Sequence, residues 1–527
     1  MRALAYHDRT KHHVLRFARS RGYLDWETQP DPFRRYPGAP LVALPRVAPM
    51  ADVAYAALYD GSVEPAPIDD VSVGTFLRCS MGLSAWKQYG ASRWALRVNP
   101  SSGNLHPTES YLVWRGHVYH YAPAEHALEL RCALGEAPVA PDSAFLVGLT
   151  SIHWREAWKY GERAFRYCQH DTGHALGALR LAAAMLGWRM VLLPDWSHGQ
   201  LASLLGVDRE DAFGDAEREE PECLALVTAG AESGWSPAPA ALADRARRAT
   251  WQGLANQLSP SVVEWPAIDD VAEATRSPGA AVGEDGPVAA VRPPPGDAGN
   301  PPSSPRAAAV ILGRRSALAF DPRGALRRDA FLAMLARLRP GAPPWDVVDW
   351  PPHVHVALFV HRVLDVTPGI YLFLRDPAAL EDVRRAMRPE FLWDETAPGL
   401  HLLAPLDVRE MARQLSCNQD IAGDGFFSLG MIARVEPALR DRGAWFYRRL
   451  FWECGLIGQV LYLEAEAAGA RATGIGCYFD DPVHDVLGLA GHAWQSLYHF
   501  SMGVPLDDGR LTTSPGYAWE SPTDPGT

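Results

Sequence analysis

Three short strings in this 527-residue sequence combine residue types that can grip a charged ligand or move a proton. The first is Arg97-Val98-Asn99-Pro100-Ser101-Ser102-Gly103-Asn104-Leu105-His106-Pro107. Two hydroxyls, a glycine and an amide bracketed by prolines make a constrained loop rich in donors and backbone amides; the plainer reading is a capped turn. The second is Gly313-Arg314-Arg315-Ser316-Ala317-Leu318-Ala319-Phe320-Asp321. Its adjacent guanidiniums and hydroxyl can hold a phosphate bidentately, against the plainer reading of a solvated arginine pair. The third is Trp158-Lys159-Tyr160-Gly161. Of the 50 Lys and Arg residues only Lys11, Lys87 and Lys159 are lysine, and lysine can give up its proton where arginine effectively cannot. The competing reading of Lys159 is a surface lysine packed by its stem.

Other strings carry less. His353 and His355 share a strand face without acidic or cysteine company, which is poor metal chemistry. His12-His13 and Asp480-Asp481 read as surface or capping residues. Cys417-Asn418-Gln419-Asp420 offers a thiol with nothing nearby in sequence to lower its pKa. The seven cysteines are widely spaced and contain no C-x-x-C, a pattern of reduced cytoplasmic thiols with no zinc site. No G-x-G-x-x-G follows a strand, so no Rossmann nucleotide site is expected.

The elements that must position these strings repeat. Arg166/Arg448, Asp171/Glu453, Gly173/Gly455, Gly187/Gly469, Arg189/Arg471 and Gly206/Gly488 all share one offset, 282. In each copy a helical period (Leu176, Leu179, Ala183, Leu186; Ile457, Leu461, Glu464, Ala468) runs to a glycine and then a strand, 188–193 or 472–479. Further strands are expected at 110–114, 118–121, 354–361 and 369–374. The fold class is α+β, built twice. Residues 1–70 form an N-terminal extension, 71–235 the first domain, 236–309 a linker and 310–527 the second domain. The linker's Pro/Ala/Gly-rich part, 271–306, cannot build a packed core. The net charge of −12 argues against nucleic acid or an anionic membrane as partner. No long apolar window spans a membrane and the start lacks a signal peptide, so a cytoplasmic chain is expected.

R-R-S-x-x-x-F-D, P-S-S-x-N and a long helix followed by Thr473-Gly474-Ile475-Gly476 together resemble the FMN-dependent nitroreductase superfamily. The first half is similar to its SagB-type (azoline) dehydrogenase branch. The resemblance implies two fused nitroreductase-like domains forming an intrachain pseudo-dimer, able to stand as a monomer, with FMN between them. It maps the phosphate clamp onto Arg314, Arg315 and Ser316, joined by Arg510. It places the backbone of Thr473, Gly474, Ile475 and Gly476 near the isoalloxazine. Pro100, Ser101, Ser102 and Asn104 would contact the ring and ribityl chain from the other half. The branch carries a Lys-Tyr pair, which assigns Lys159 as a base with its pKa lowered by burial and arginine neighbours, and Tyr160 as its relay. Leu318 stands where the family has a cation. Only one complete site is expected: the reciprocal one would need Arg78-Cys79-Ser80 as a weaker clamp, and the second half has no P-S-S-x-N. The implied activity is two-electron dehydrogenation of a small-molecule or modified-peptide substrate, with O2 or another acceptor. An NAD(P)H-dependent nitro, quinone or flavin reductase and a degenerate binding scaffold are the alternatives.

Overall fold

The computed structural model describes residues 1–46, 52–135, 139–230, 235, 237–279 and 304–520. Its centre is a pair of 22-residue helices, α1 (Ala164–Met185) and α2 (Phe446–Ala467). Every residue of α1 is buried, so neither face needs the polar stripe of a surface helix. Gly187 and Gly469, both at positive φ, follow the two helices and turn the chain into strands Trp188–Leu192 and Arg471–Ile475. The second strand stops at Ile475, short of the expected residue 479, because the chain leaves the sheet at Gly476.

Each helix packs beside a seven-stranded sheet; six strands follow the same order in both, and the outer edge strand differs, coming from the N-terminal segment in the first sheet and from within the second half in the other. The first runs, in spatial order, Leu41–Ala43, Ala127–Ala133, His117–Ala122, Thr108–Trp114, Ala144–Ser151, Glu220–Ala229 and Trp188–Leu192. The second runs Asp394–Ala397, Leu400–Pro405, Gly369–Phe373, Val354–Val360, Phe427–Arg434, Trp494–Gly503 and Arg471–Ile475. All pairings are antiparallel. A third sheet joins the halves: Thr512–Pro515 from the end of the chain pairs with the hairpin Leu83–Tyr89/Ser92–Arg97.

The 282 offset has a physical meaning at the helix crossing. A Cβ on Gly173 would lie 2.2 Å from the Trp452 carbonyl oxygen, and one on Gly455 2.2 Å from that of His170. The matched glycines are thus reciprocal contacts about a pseudo-twofold axis, where only hydrogen lets the backbones approach.

The flanking segments are more ordered than their composition suggests. Within 236–309, helices Pro239–Arg248 and Pro266–Ala274 dock by Leu242, Ala246, Ile268 and Val271, so the expected linker is shorter at both ends; residues 280–303 lie outside the described residues. Residues 1–46 bind both halves. His7 bridges the Tyr447 hydroxyl and Gln495 at 3.0 Å each, while Arg34 pairs with Glu219 at 3.1 Å. Asp480 is no surface acid. Despite its burial, Arg163 and Arg166 at 2.9 and 2.8 Å hold it far below the usual carboxylate range, and His12 N–H donates to it. Among the described residues no helix is long and apolar enough to cross a membrane.

Candidate active site

One large cavity, about 690 Å³, lies between the halves. The second-half strings meet there because Ser316 bridges in parallel to Ala472, and the Thr473 hydroxyl donates to the Ala317 carbonyl at 2.7 Å. Tyr462 of α2 ties them further: its hydroxyl lies 2.9 Å from Ser316 Oγ and accepts the Gly474 N–H at 3.0 Å. Arg314 then reaches across to the first half, donating to the Val98 and Arg97 carbonyls at 3.2 Å each, at the start of the Pro-Ser-Ser loop. Pro100, Ser101, Ser102, Asn104, Arg314, Arg315, Ser316, Thr473, Gly474, Ile475 and Gly476 all line this one cavity, and Tyr160 does too.

Two expected residues are placed elsewhere. Arg510 is exposed, held by Asp508 at 2.7 Å and turned over the Tyr89 ring, although its neighbours Gly509 and Leu511 reach the cavity. Lys159 is also exposed, contrary to the burial expected of it. Helix His153–Tyr160 turns Glu156, Ala157 and Trp158 inward and leaves Lys159 on its outer face. Its ammonium sits over the Tyr160 ring, 5.2 Å from the centroid. The Lys-Tyr pair nevertheless touches the Pro-Ser-Ser loop. Gly103, at φ +60°, has no room for a Cβ, which would lie 2.6 Å from the Tyr160 hydroxyl and 3.2 Å from Lys159 Nζ.

One end of the cavity is cationic. Arg314 and Arg315 have no carboxylate partner among the described residues. Arg315 donates only to the carbonyls of Leu312, Arg314 and Ser84. Burial and the neighbouring Arg314 push it down to about 10. Lys87, which sequence reasoning left without a role, lines the same end, its pKa lowered by burial and by Arg315 and Arg471. Arg314 is buried and Arg315 and Lys87 are half-buried, with the Glu466 carboxylate near the arginines but in no ion pair with them; such incompletely compensated cations are costly, so this end favours an anion.

The cavity is also bordered by a buried carboxyl pair that the sequence did not reveal as a pair. Asp171 of α1 accepts the Ser102 N–H at 3.1 Å on both oxygens and faces the Ser102 hydroxyl at 3.2 Å. Glu156 faces the Ser101 hydroxyl at 3.4 Å. Burial pushes Asp171 up to about 7, and burial together with the Asp171 charge raises Glu156 well above the usual range. Two acids in such contact cannot both ionise, so the pair keeps at least one proton at neutral pH, with Asp171 lining the cavity. The second half has no equivalent: Glu453 accepts the His353 N–H at 3.1 Å and is neutralised by Arg375, and Ala438 occupies the position matching Glu156.

The pair has a stability signature. Unfolded carboxyls titrate near ~4, so between about pH 4 and about pH 7 the folded chain holds protons that the unfolded chain has lost. Stability therefore falls as pH rises across that window, by up to about 1.4 kcal/mol per pH unit for each proton, and the Asp171 share levels off above it. Asp171→Asn is expected to remove about half of the pair's share of this slope. Denaturation curves across the window check this, and unchanged slopes would refute the shared proton.

At the reciprocal position the space has closed. Leu192–Pro194 and Arg449, the offset equivalents of Gly474–Gly476 and Tyr167, line only about 40 Å³. Arg448 crosses it to Glu222 at 2.7 Å and Glu220 at 2.9 Å. Arg78, expected as the reciprocal clamp, is instead paired with Glu520 at 2.6 Å, and Cys79 and Ser80 are fully buried.

Fold and site together define a nitroreductase fold duplicated within one chain, with a large cavity between the copies. The chain is similar over its whole length to a protein of Anabaena variabilis designated a nitroreductase, with 21% identity, 96% of this chain and 99% of that one covered, and a TM-score of 0.68. Because nearly all of that chain is matched, the tandem arrangement itself is shared. Partial similarity extends to the Escherichia coli microcin synthetase McbBCD complex with truncated pro-MccB17 (17% identity, 37% and 69% covered, TM-score 0.28). It extends also to a Bacteroides fragilis nitroreductase with bound FMN (14%, 37% and 87%, TM-score 0.20). No protein-family model and no curated protein matches the sequence.

Proposed function

We propose that the chain is an FMN-dependent oxidoreductase that removes two electrons and two protons from a small or peptide-derived substrate at one site. The observation that carries this reading is the cavity's polarity: one cavity is lined by Arg314, Arg315 and Lys87, none held in an ion pair among the described residues, and is bordered by a proton-holding carboxyl pair. The residues present fit the flavin. Arg314, Arg315, Ser316 and Lys87 would hold its phosphate, while the backbone of Thr473–Gly476 and the Pro100–Asn104 loop would flank its ring and side chain. Bound there, FMN supplies two-electron acceptance. The protein's own groups handle the protons. Tyr160, held against the Gly103 turn and pushed well above its ordinary pKa by burial and nearby Glu156, stays a neutral hydroxyl that orients the substrate. Ser101 and Ser102 connect the cavity to Glu156 and Asp171, so a substrate proton can be passed inward to the Asp171 carboxylate. The Lys159 charge opposes the upward shift of Glu156.

Flavin content and anaerobic reduction test this reading. The purified chain, supplemented with FMN, is expected to retain about one flavin per chain and a yellow flavin spectrum. Mixing it anaerobically with NADPH is expected to bleach the flavin slowly. A colourless protein after supplementation would leave a scaffold, two flavins per chain would sink the single-site reading, and rapid bleaching would make the chain a reductase.

A further inference from the structure

Two half-buried cysteines, 60 residues apart in sequence, meet in the wall of the cavity. Cys417 and Cys477 have their sulfurs 2.9 Å apart, and Cys477 lines the cavity beside Gly476. A disulfide would need a further approach of only about 0.9 Å. The other five cysteines are buried, and burial raises Cys79 and Cys132 to about 12, so they are inert packing residues.

The surroundings of the pair are constructed. Helix Arg409–Leu415 ends in a turn where Cys417 and Asn418 both take left-handed conformations, φ +54° and +59°, an arrangement costing of order 1 kcal/mol or more for a residue such as cysteine. That turn aims Cys417 at Cys477. Gln419 pins the two segments together, donating through Nε2 to the Ser416 carbonyl at 2.7 Å and the Cys477 carbonyl at 2.9 Å. Phe479 N–H donates to the Leu415 carbonyl at 2.9 Å. Three neighbours favour the thiolate on Cys477. The Cys417 thiol is the foremost of them, and burial opposes it; His12 and Arg163 add to it. His12 Nδ1 accepts the Ala18 N–H at 2.9 Å, so its proton sits on Nε2, available to the Cys477 sulfur beside it.

We infer that Cys417 and Cys477 form a reversible dithiol–disulfide centre in the cavity wall, whose partner is a low-molecular-weight disulfide. The Cys477 thiolate attacks one sulfur of the partner RSSR, making the mixed disulfide Cys477–S–S–R and expelling RS⁻, which takes up a proton. The Cys417 thiol gives its proton to solvent and attacks the Cys477 sulfur, forming the internal disulfide and expelling the second RS⁻, which is protonated in turn. The thiol–thiolate pair loses two electrons and the Cys417 proton, and RSSR takes up those electrons with that proton and one more from solvent to become two RSH. This chemistry is independent of the flavin reading, since it needs only the protein's own sulfurs.

Thiol trapping of the full-length chain tests it without turnover. After exposure to oxidised glutathione and quenching with an alkylating agent, peptide mass spectrometry is expected to find one linked pair, Cys417–Cys477, with the other five cysteines alkylated after denaturation. Reduced glutathione is expected to reopen it. In Cys417→Ser the mixed disulfide should accumulate on Cys477, about tenfold more than on Cys417 in Cys477→Ser, because the thiolate is the attacking species. Absence of the linked peptide in the unmodified chain, or links to other cysteines, would overturn the inference irrespective of how the variants fold. Equal trapping in the two variants would overturn the assignment of Cys477 as the attacking sulfur.

Discussion

Gly173→Ala is expected to destabilise the chain by about 3–5 kcal/mol, although alanine is the better helix former by about 1 kcal/mol in a helix interior. The sign is set by the crossing of α1 and α2. The added Cβ would sit 2.2 Å from the Trp452 carbonyl oxygen and 2.8 Å from the Gly455 Cα, both backbone atoms that no rotamer change can move. The helices must separate, and every residue of α1 is buried, so separation opens gaps along its length. Asp171 and His174, two residues before and one after Gly173, line the cavity, so ligand affinity falls with stability. Gly455→Ala should behave the same way, with its Cβ 2.2 Å from the His170 carbonyl. Gly199→Ala is the control: that helical glycine has no atom within 4 Å of the added Cβ. Chemical denaturation of the three variants measures the effect; equal stability of Gly173→Ala and the parent chain would mean that the crossing is not as close as described.

The same crossing shows what was readable in the sequence. Local signals survive translation well. The 282 offset exposed the duplicated helix–glycine–strand unit, and the expected strands coincide with observed ones to within a few residues, because alternation and glycine stops are properties of neighbours in sequence. The strings of the first and second halves were identifiable for a similar reason: proline, glycine and adjacent arginines are rare combinations over a few residues. Contacts made through the fold carried no such mark. Glu156 sits in His-Trp-Arg-Glu-Ala-Trp, an ordinary amphipathic turn, and acquires its raised pKa only when α1 brings Asp171 beside it. A comparison of the copies held the one usable hint, since Glu156 faces alanine and Asp171 faces an arginine-neutralised glutamate at the matching positions. Lys159 failed in the opposite way. Its family resemblance is local, but its exposure depends on which side of helix His153–Tyr160 meets the core. Lys87 and the N-terminal segment likewise gain their places from pairing across the chain, Lys87 opposite Thr513 of the last strand and His12 beside Cys477.

Arg315→Met is expected to weaken FMN binding by about 10- to 100-fold while leaving the ligand-free fold largely intact, a combination that separates a ligand-binding arginine from a structural one. Hydrogen bonds to a charged group contribute about 1.5–3 kcal/mol, which at ~1.4 kcal/mol per decade gives this range. The ligand-free chain bears the cost of burying Arg315 near Arg314 and Arg471 with only carbonyl partners. Removing the charge relieves that cost and offsets the lost carbonyl bonds. Arg315→Lys keeps the charge but not the planar fork, so its affinity should lie between the two. Added salt should weaken FMN binding to the parent chain more than to Arg315→Met, because one charge pair fewer is left to screen. Arg510→Ala supplies the contrast. Its guanidinium is exposed, engaged by Asp508 and turned over the Tyr89 ring, and its loss should change affinity less than about twofold, in keeping with the small worth of exposed ion pairs. Titration of FMN fluorescence against each variant reads all four affinities. If Arg510→Ala and Arg315→Met lost affinity alike, the phosphate would be held at the C-terminal rim, and the cationic end of the cavity would need another anion to explain it.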